Sequence, residues 1–155
     1  MSPLDSNPFA VLTFLVAPAI LTNASSVLSL STSNRLARAS DRARALSEEL
    51  RKLPVGASAE AKRLDENFHR AWLRAQLLVK ALRLFYLAIG SFGAGTCISL
   101  AGAAAGYMEL RWLVEATVVA GAFAAVVGVT SLVFGALRLV SETRLALESI
   151  ASEEE

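Results

Sequence analysis

Apolar positions along the chain fall into three long runs, and the first two runs are separated by a charged stretch. Residues 9–31 contain no charged side chain, and about 20 apolar residues suffice for a helix to cross the hydrocarbon of a bilayer. Runs 81–107 and 113–139 are similarly apolar, with charged residues only near their ends. The pattern predicts an all-α integral membrane protein, a single membrane domain over residues 1–155 with three transmembrane helices.

The charged stretch at about 34–80 has a periodicity of its own. Its apolar residues are spaced alternately three and four positions apart on both sides of a predicted turn at Pro54 and Gly56, which is the spacing of a coiled-coil seam. The two seams predict an antiparallel helical hairpin between the first two membrane helices. The seam positions are Leu36, Ala39, Ala43, Leu46, Leu50 and Leu53 on the first arm and Ala61, Leu64, Phe68, Ala71, Ala75 and Leu78 on the second.

Basic residues predict the orientation of the hairpin. Twelve of the fifteen Lys and Arg residues lie between Arg35 and Arg83, whereas the turn between the second and third runs contains only Arg111. Cytoplasmic loops of membrane proteins carry an excess of Lys and Arg. We therefore expect a cytoplasmic hairpin, a cytoplasmic tail over 140–155 and an N-terminus outside. The net charge of +1 gives no overall positive field, so we expect no nucleic-acid partner.

Polar side chains form a stripe along the inner half of the first predicted span. Polar groups that face lipid are costly, so the stripe should face protein or water. In the first case its hydroxyl groups would form hydrogen bonds with the other two membrane helices. In the second case the stripe would line a pore within an oligomer. The residues of this stripe are Thr22, Asn23, Ser26, Ser29 and Ser33.

Small residues are concentrated in the second and third predicted spans, which contain eight of the nine glycines. Small residues at three- and four-residue spacing allow membrane helices to pack backbone to backbone. Three spans of this length have little area with which to cover all these glycines within one subunit. We therefore expect a homo-oligomer that forms through a seam on the third span, made of Gly121, Ala124, Gly128, Ser131 and Gly135.

Charged residues beside the membrane suggest two kinds of contact. Arg35, Arg38 and Arg42 share one helix face just below the predicted membrane surface, where each basic residue near anionic lipid contributes on the order of 1 kcal/mol. They are candidate contacts for lipid headgroups or for a nucleotide, with simple topology anchoring as the alternative. On the third helix, Arg138 and Glu142 have the four-residue spacing of an intrahelical ion pair.

Residues with catalytic or metal-binding chemistry are sparse. The chain has one histidine, His69, and one cysteine, Cys97, and Cys97 is expected to be a small buried thiol within a membrane helix. Phosphate-loop, dinucleotide-binding, zinc-protease and serine-hydrolase motifs do not occur. We therefore predict no enzymatic activity, catalytic residue, metal site or cofactor.

The run SNRLARASDRARAL, residues 33–46, follows the sequence PAILTNASSVLSLST at the end of the first span. This combination resembles a family of small bacterial membrane proteins catalogued as domain of unknown function 2721. The resemblance covers about residues 8–148, including the two later spans. It implies a location in the bacterial cytoplasmic (inner) membrane and carries no activity with it.

These observations favour an uncharacterised multi-pass membrane protein that acts as a homo-oligomeric scaffold or interaction module. The hairpin would offer a surface to a cytoplasmic protein partner, and membrane lipids would surround the spans. The alternative is a small homo-oligomeric ion channel lined by the polar face of the first span. Coupled proton transport is not expected, because ionisable residues inside the membrane mark such chemistry and none lies near the centre of a predicted span.

Overall fold

The computed structural model describes residues 9–53 and 58–151. This part of the chain forms three α helices and no strand: α1 (Phe9–Lys52), α2 (Ser58–Tyr107) and α3 (Arg111–Ala151). The all-α prediction is confirmed. Each helix joins a predicted span to the adjoining charged segment without a break. The predicted turn at Pro54 and Gly56 lies outside the described residues.

Two helices in the described part of the chain are long and apolar enough to cross a membrane, over Ala59–Tyr107 and Arg111–Arg144. Only 17% and 22% of their most apolar stretches are buried, whereas the core helix of a soluble protein would be mostly buried. Exposed apolar surface of this extent supports a membrane location for these two helices. The first predicted span, 9–31, is helical as part of α1, and its membrane crossing stays a prediction.

The chain forms two compact units, and every helix contributes to both. The first unit contains α1 up to Leu28 together with Leu84–Val133. Within this unit, small residues let α2 and α3 approach closely, as the sequence predicts. A Cβ atom added to Gly102 of α2 would lie 2.5 Å from Oγ1 of Thr117, and one added to Gly128 of α3 would lie 2.6 Å from Cε1 of Phe92.

The turn between α2 and α3 is tight because the end of α2 adopts a Schellman motif. Glu109 has a positive φ of 58°, its N–H donates to the carbonyl of Gly106, and the N–H of Leu110 donates to the carbonyl of Ala105. These bonds satisfy carbonyls that the end of a helix leaves unpaired. Glycine usually occupies the left-handed position, so the glutamate at position 109 is strained by about 1–2 kcal/mol.

The second unit, Ser29–Arg83 with Phe134–Glu155, contains the paired arms. Ala43 and Leu46 of α1 form a buried cluster with Ala71 of α2, and Leu64 and Phe68 pack against it. All the predicted seam positions described by the structure are buried or half-buried. The arms thus pack through the faces that the spacing predicts. Their place in the cytoplasm stays a prediction.

Candidate functional site

The centre of the candidate site is a buried carboxylate in the second unit. The side chain of Glu142, on α3, is only 4% exposed. Its Oε2 atom accepts a hydrogen bond from Nη1 of Arg35 at 3.1 Å. Its Oε1 atom accepts two from Arg74, from Nε at 3.1 Å and from Nη2 at 2.9 Å. One carboxylate thus joins α1, α2 and α3.

The exposure of the three side chains explains how a buried charge is tolerated. A carboxylate taken out of water needs partners that replace its hydration, and both oxygens of Glu142 have guanidinium partners. The side chains of Arg35 and Arg74 remain 43% and 36% exposed, so water still solvates much of each cation. Of the three charged groups, the buried Glu142 carboxylate is therefore the one that depends most on the ion pairs.

The Thr143 hydroxyl lies beside this ion cluster. It donates a hydrogen bond to the carbonyl of Leu139 at 3.0 Å and accepts one from Nη1 of Arg35 at 3.5 Å. The same nitrogen of Arg35 therefore contacts α3 through two successive side chains. This second contact further restricts the position of the Arg35 guanidinium.

A cleft of about 390 Å³ opens beside Glu142. Small-molecule sites in proteins are usually about 300–1,000 Å³, so this volume suits a small ligand. Small side chains, Ala39 and Ala71, leave room between the cationic groups. The residues that line the cleft are Arg35, Arg38, Ala39, Arg42, Ala71, Arg74, Glu142 and Thr143.

The cleft carries a surplus of positive charge. Four arginines and one glutamate line it, which gives four minus one, or three net positive charges. Arg38 and Arg42 are exposed, and neither forms an ion pair with a carboxylate of the described residues. The cleft can therefore attract an anion without first breaking the pairs to Glu142.

The structure brings together the three arginines predicted as lipid contacts, Arg35, Arg38 and Arg42, at one cleft. Sequence reasoning missed Arg74 and assigned Glu142 to an ion pair with Arg138, whereas Glu142 pairs with Arg35 and Arg74. A signal for Glu142 was present. It lies seven residues after Gly135, so the seam spacing of α3 continues to it.

The residues of the predicted polar stripe of α1 differ in their exposure. Ser29 is buried, Thr22 and Ser33 are half-buried, and Asn23 and Ser26 are exposed. Two neighbouring polar residues, Ser25 and Thr32, are completely buried. The buried face of α1 is thus centred about one position away from the predicted stripe.

Two hydroxyl groups of this stripe and the hydroxyl of neighbouring Ser25 form hydrogen bonds within α1. Thr22 donates to the carbonyl of Pro18, Ser25 to that of Leu21 and Ser26 to that of Thr22, each at 2.8 Å. Thr22 and Ser26 therefore donate within α1 rather than to α2 or α3. Among the described residues, Ser29 Oγ is a buried side-chain atom without a hydrogen-bond partner.

The predicted seam of α3 faces α2 of the same chain. Gly128 lies against Phe92, and Cβ positions at Gly121 and Gly95 would contact Ile98 and Ala124 at 3.9 and 3.7 Å. Ser131 and Gly135 are buried as well. Gly121, Ala124 and Gly128 thus take part in packing within the chain, and the role of the seam in a homo-oligomer stays a prediction.

Groups with metal or thiol chemistry do not converge in the described part of the chain. No set of three His, Cys, Asp or Glu side chains there is placed to hold a metal ion. Cys97 is exposed, so the expectation of a buried thiol is wrong. His69 is exposed too.

Comparison with known proteins connects the chain to one family. Neither the curated proteins nor the solved structures gave a match. The model of one protein family, described as a protein of unknown function (DUF2721), matches residues 15–152. The matched region includes the arginine-rich arm, both helices that are apolar enough to cross a membrane, and Glu142. The chain therefore belongs to the DUF2721 family.

Proposed function

We propose that this chain is a three-span protein of the bacterial inner membrane whose arms form a cytoplasmic interaction module within a homo-oligomeric scaffold. The observation that carries the proposal is the buried Glu142 shared by Arg35 and Arg74. Arginines that only anchor topology need no partners, since their charge alone acts. A buried carboxylate with partners on two other helices fixes the relative position of three helices, as a binding surface requires.

Exposed polar residues on α1 support self-association. Asn23 and Ser26 are exposed on the single chain, although they lie within the first predicted span. Polar side chains in a span are rare on lipid-facing surfaces, so a second copy of the chain is a better neighbour for them than lipid. Gly90 and Gly93 of α2 have no neighbour within 4 Å of an added Cβ atom, and they leave room for close approach by that copy.

The same exposed residues keep an ion channel as the second candidate. In a ring of subunits, Asn23 and Ser26 would face either a neighbouring helix or a water-filled axis. We favour the scaffold because hydroxyls alone give a pore little selectivity, and because Ser25 and Thr32, the most buried polar residues of α1, lie inside one chain.

Removing both partners of Glu142 tests the module. The variant Arg35→Ala/Arg74→Ala leaves a buried carboxylate unpaired, which typically costs about 3–5 kcal/mol. We expect the arms to become sensitive to proteinase K while the protein still inserts into the membrane. The control Arg44→Ala/Arg51→Ala removes the same charge from exposed positions and should keep the arms resistant. Equal resistance in both variants would refute the module.

Topology and subunit number test the rest of the proposal. Single cysteines at Ser2, Ala57 and Met108, placed in a Cys97→Ala background, should react with an impermeant reagent in whole cells at positions 2 and 108 only. Native mass measurement in mild detergent should find more than one copy. Labelling at position 57, or a monomer at every concentration, would contradict the proposed arrangement.

A further inference from the structure

We propose that the arginine cleft of the second unit binds a phosphate group that carries at least two negative charges. The cleft is lined by Arg35, Arg38, Arg42 and Arg74 together with Glu142, and its three surplus positive charges set the charge of the ligand. This inference rests on the proposed function only for the place of the cleft beside the membrane.

The first argument is that two of the four arginines pair with Glu142 and two do not. A guanidinium group has five N–H donors, and Glu142 takes two from Arg74 and one from Arg35. The pairing holds both guanidinium groups in place and leaves each with further donors. Glu142 therefore orients two arginines at the cleft without neutralising the other two.

The second argument is the repulsion between the cleft arginines of α1 when no anion is bound. Arg38 and Arg42 are four residues apart on α1, and like charges at this spacing destabilise a helix. Arg35 lies three residues before Arg38 on the same face. An anion in the cleft would offset this repulsion.

The third argument concerns the type of anion. Arginine forks match the oxygens of a phosphate group with paired N–H donors. A cleft of about 390 Å³ exceeds what a single small ion requires and accommodates a phosphate with part of the molecule that carries it. Two sources supply this chemistry: the headgroup of an anionic phospholipid, or a soluble phosphate compound.

The test compares two double variants of the full-length protein. Arg38→Ala/Arg42→Ala removes the two cleft arginines that are exposed and outside the Glu142 pairs. Arg44→Ala/Arg51→Ala removes two exposed arginines of the same helix that do not line the cleft. The two variants have equal net charge. Resistance of the arms to proteinase K verifies that both retain the module.

The probes distinguish the two sources of phosphate. Inorganic phosphate and pyrophosphate are titrated against the detergent-solubilised protein at constant ionic strength. In parallel, nanodiscs of phosphatidylcholine with and without phosphatidic acid are used, and the lipid that each protein retains is measured by native mass spectrometry. Retention of phosphatidic acid alone identifies a headgroup, and saturable binding of a soluble probe identifies a soluble phosphate compound.

We expect the cleft variant to lose roughly tenfold or more in affinity for the probe that binds, because two charge-assisted contacts are removed. The control variant should stay within about twofold of the wild type. Equal losses in both variants would mean that surface charge alone attracts the anion and would overturn the site. Absence of saturable binding for every probe would overturn it as well. Either result leaves subunit number and topology, and hence the scaffold, unaffected.

Discussion

Phe92 of α2 lies directly against Gly128 of α3, so that a Cβ atom added to the glycine would come within 2.6 Å of Cε1 of the ring. Phe92 is only 3% exposed, and a ring enclosed in this way has little room to move. Because α2 and α3 meet here with a ring on one side and bare backbone on the other, this contact fixes how closely the two helices can approach.

The variant Gly128→Ala should therefore destabilise the protein. Overpacking costs about 1–3 kcal/mol, while the higher helix propensity of alanine returns about 1 kcal/mol. The control Gly93→Ala places the same methyl group on α2 where no atom lies within 4 Å, so only the gain applies. Thermal unfolding in detergent should rank Gly93→Ala above Gly128→Ala. The reverse order would contradict the close approach of Phe92.

The spacing of small residues predicted which positions of α3 share a face, because a helix repeats every 3.6 residues. It could not predict what covers that face, since a second copy and the α2 helix of the same chain require the same pattern. The same limit applies to Glu142. The spacing places it on the seam face, but its pairing with Arg35 and Arg74 depends on contacts 107 and 68 residues apart along the chain.

The arms were more predictable than the site. In each arm, the apolar seam positions are separated by residues that are mostly charged or polar. The faces that pack can therefore be read directly from the sequence. The shared face of Arg35, Arg38 and Arg42 was visible in the spacing, but nothing in the sequence separates Arg74 from the other arginines of the second arm. Which arginines line the cleft depends on how α1, α2 and α3 meet within the second unit.

Pairing of the arms should depend on Leu46, which is 6% exposed and lies in a buried cluster with Ala43 and Ala71. In Leu46→Asp a charge replaces a buried leucine, and the arms should separate while membrane insertion is retained. The neighbouring variant Ala45→Asp introduces the same charge at an exposed position and should be tolerated. Proteolysis of residues 36–80 measures the difference. Equal protection of this region in the two variants would refute the pairing.

Strain at the turn between α2 and α3 should be relieved by Glu109→Gly. Glu109 has a φ of 58°, which costs a residue with a Cβ atom about 1–2 kcal/mol. Glycine avoids this cost but loses roughly 0.5–1 kcal/mol through its greater freedom in the unfolded chain. We expect a net gain in thermal stability. The control is Met108→Gly, at the position directly before Glu109. It incurs the entropic loss without relieving the strain at Glu109, so it should lower the thermal stability. A decrease in both variants would argue against the left-handed position.

Conductance decides between the scaffold and the channel. Ser26 is exposed on the single chain, and its hydroxyl donates a hydrogen bond to the carbonyl of Thr22 within α1. If α1 lines a pore, Ser26→Leu should block it by placing an apolar side chain at the axis. If α1 only packs, liposomes that contain the wild type should be silent in flux and single-channel recordings.

Val27→Leu enlarges an adjacent exposed side chain and serves as the control. We expect silence in all three proteins. Reproducible currents in the wild type and Val27→Leu that disappear in Ser26→Leu, with the oligomer intact, would replace the scaffold by the channel.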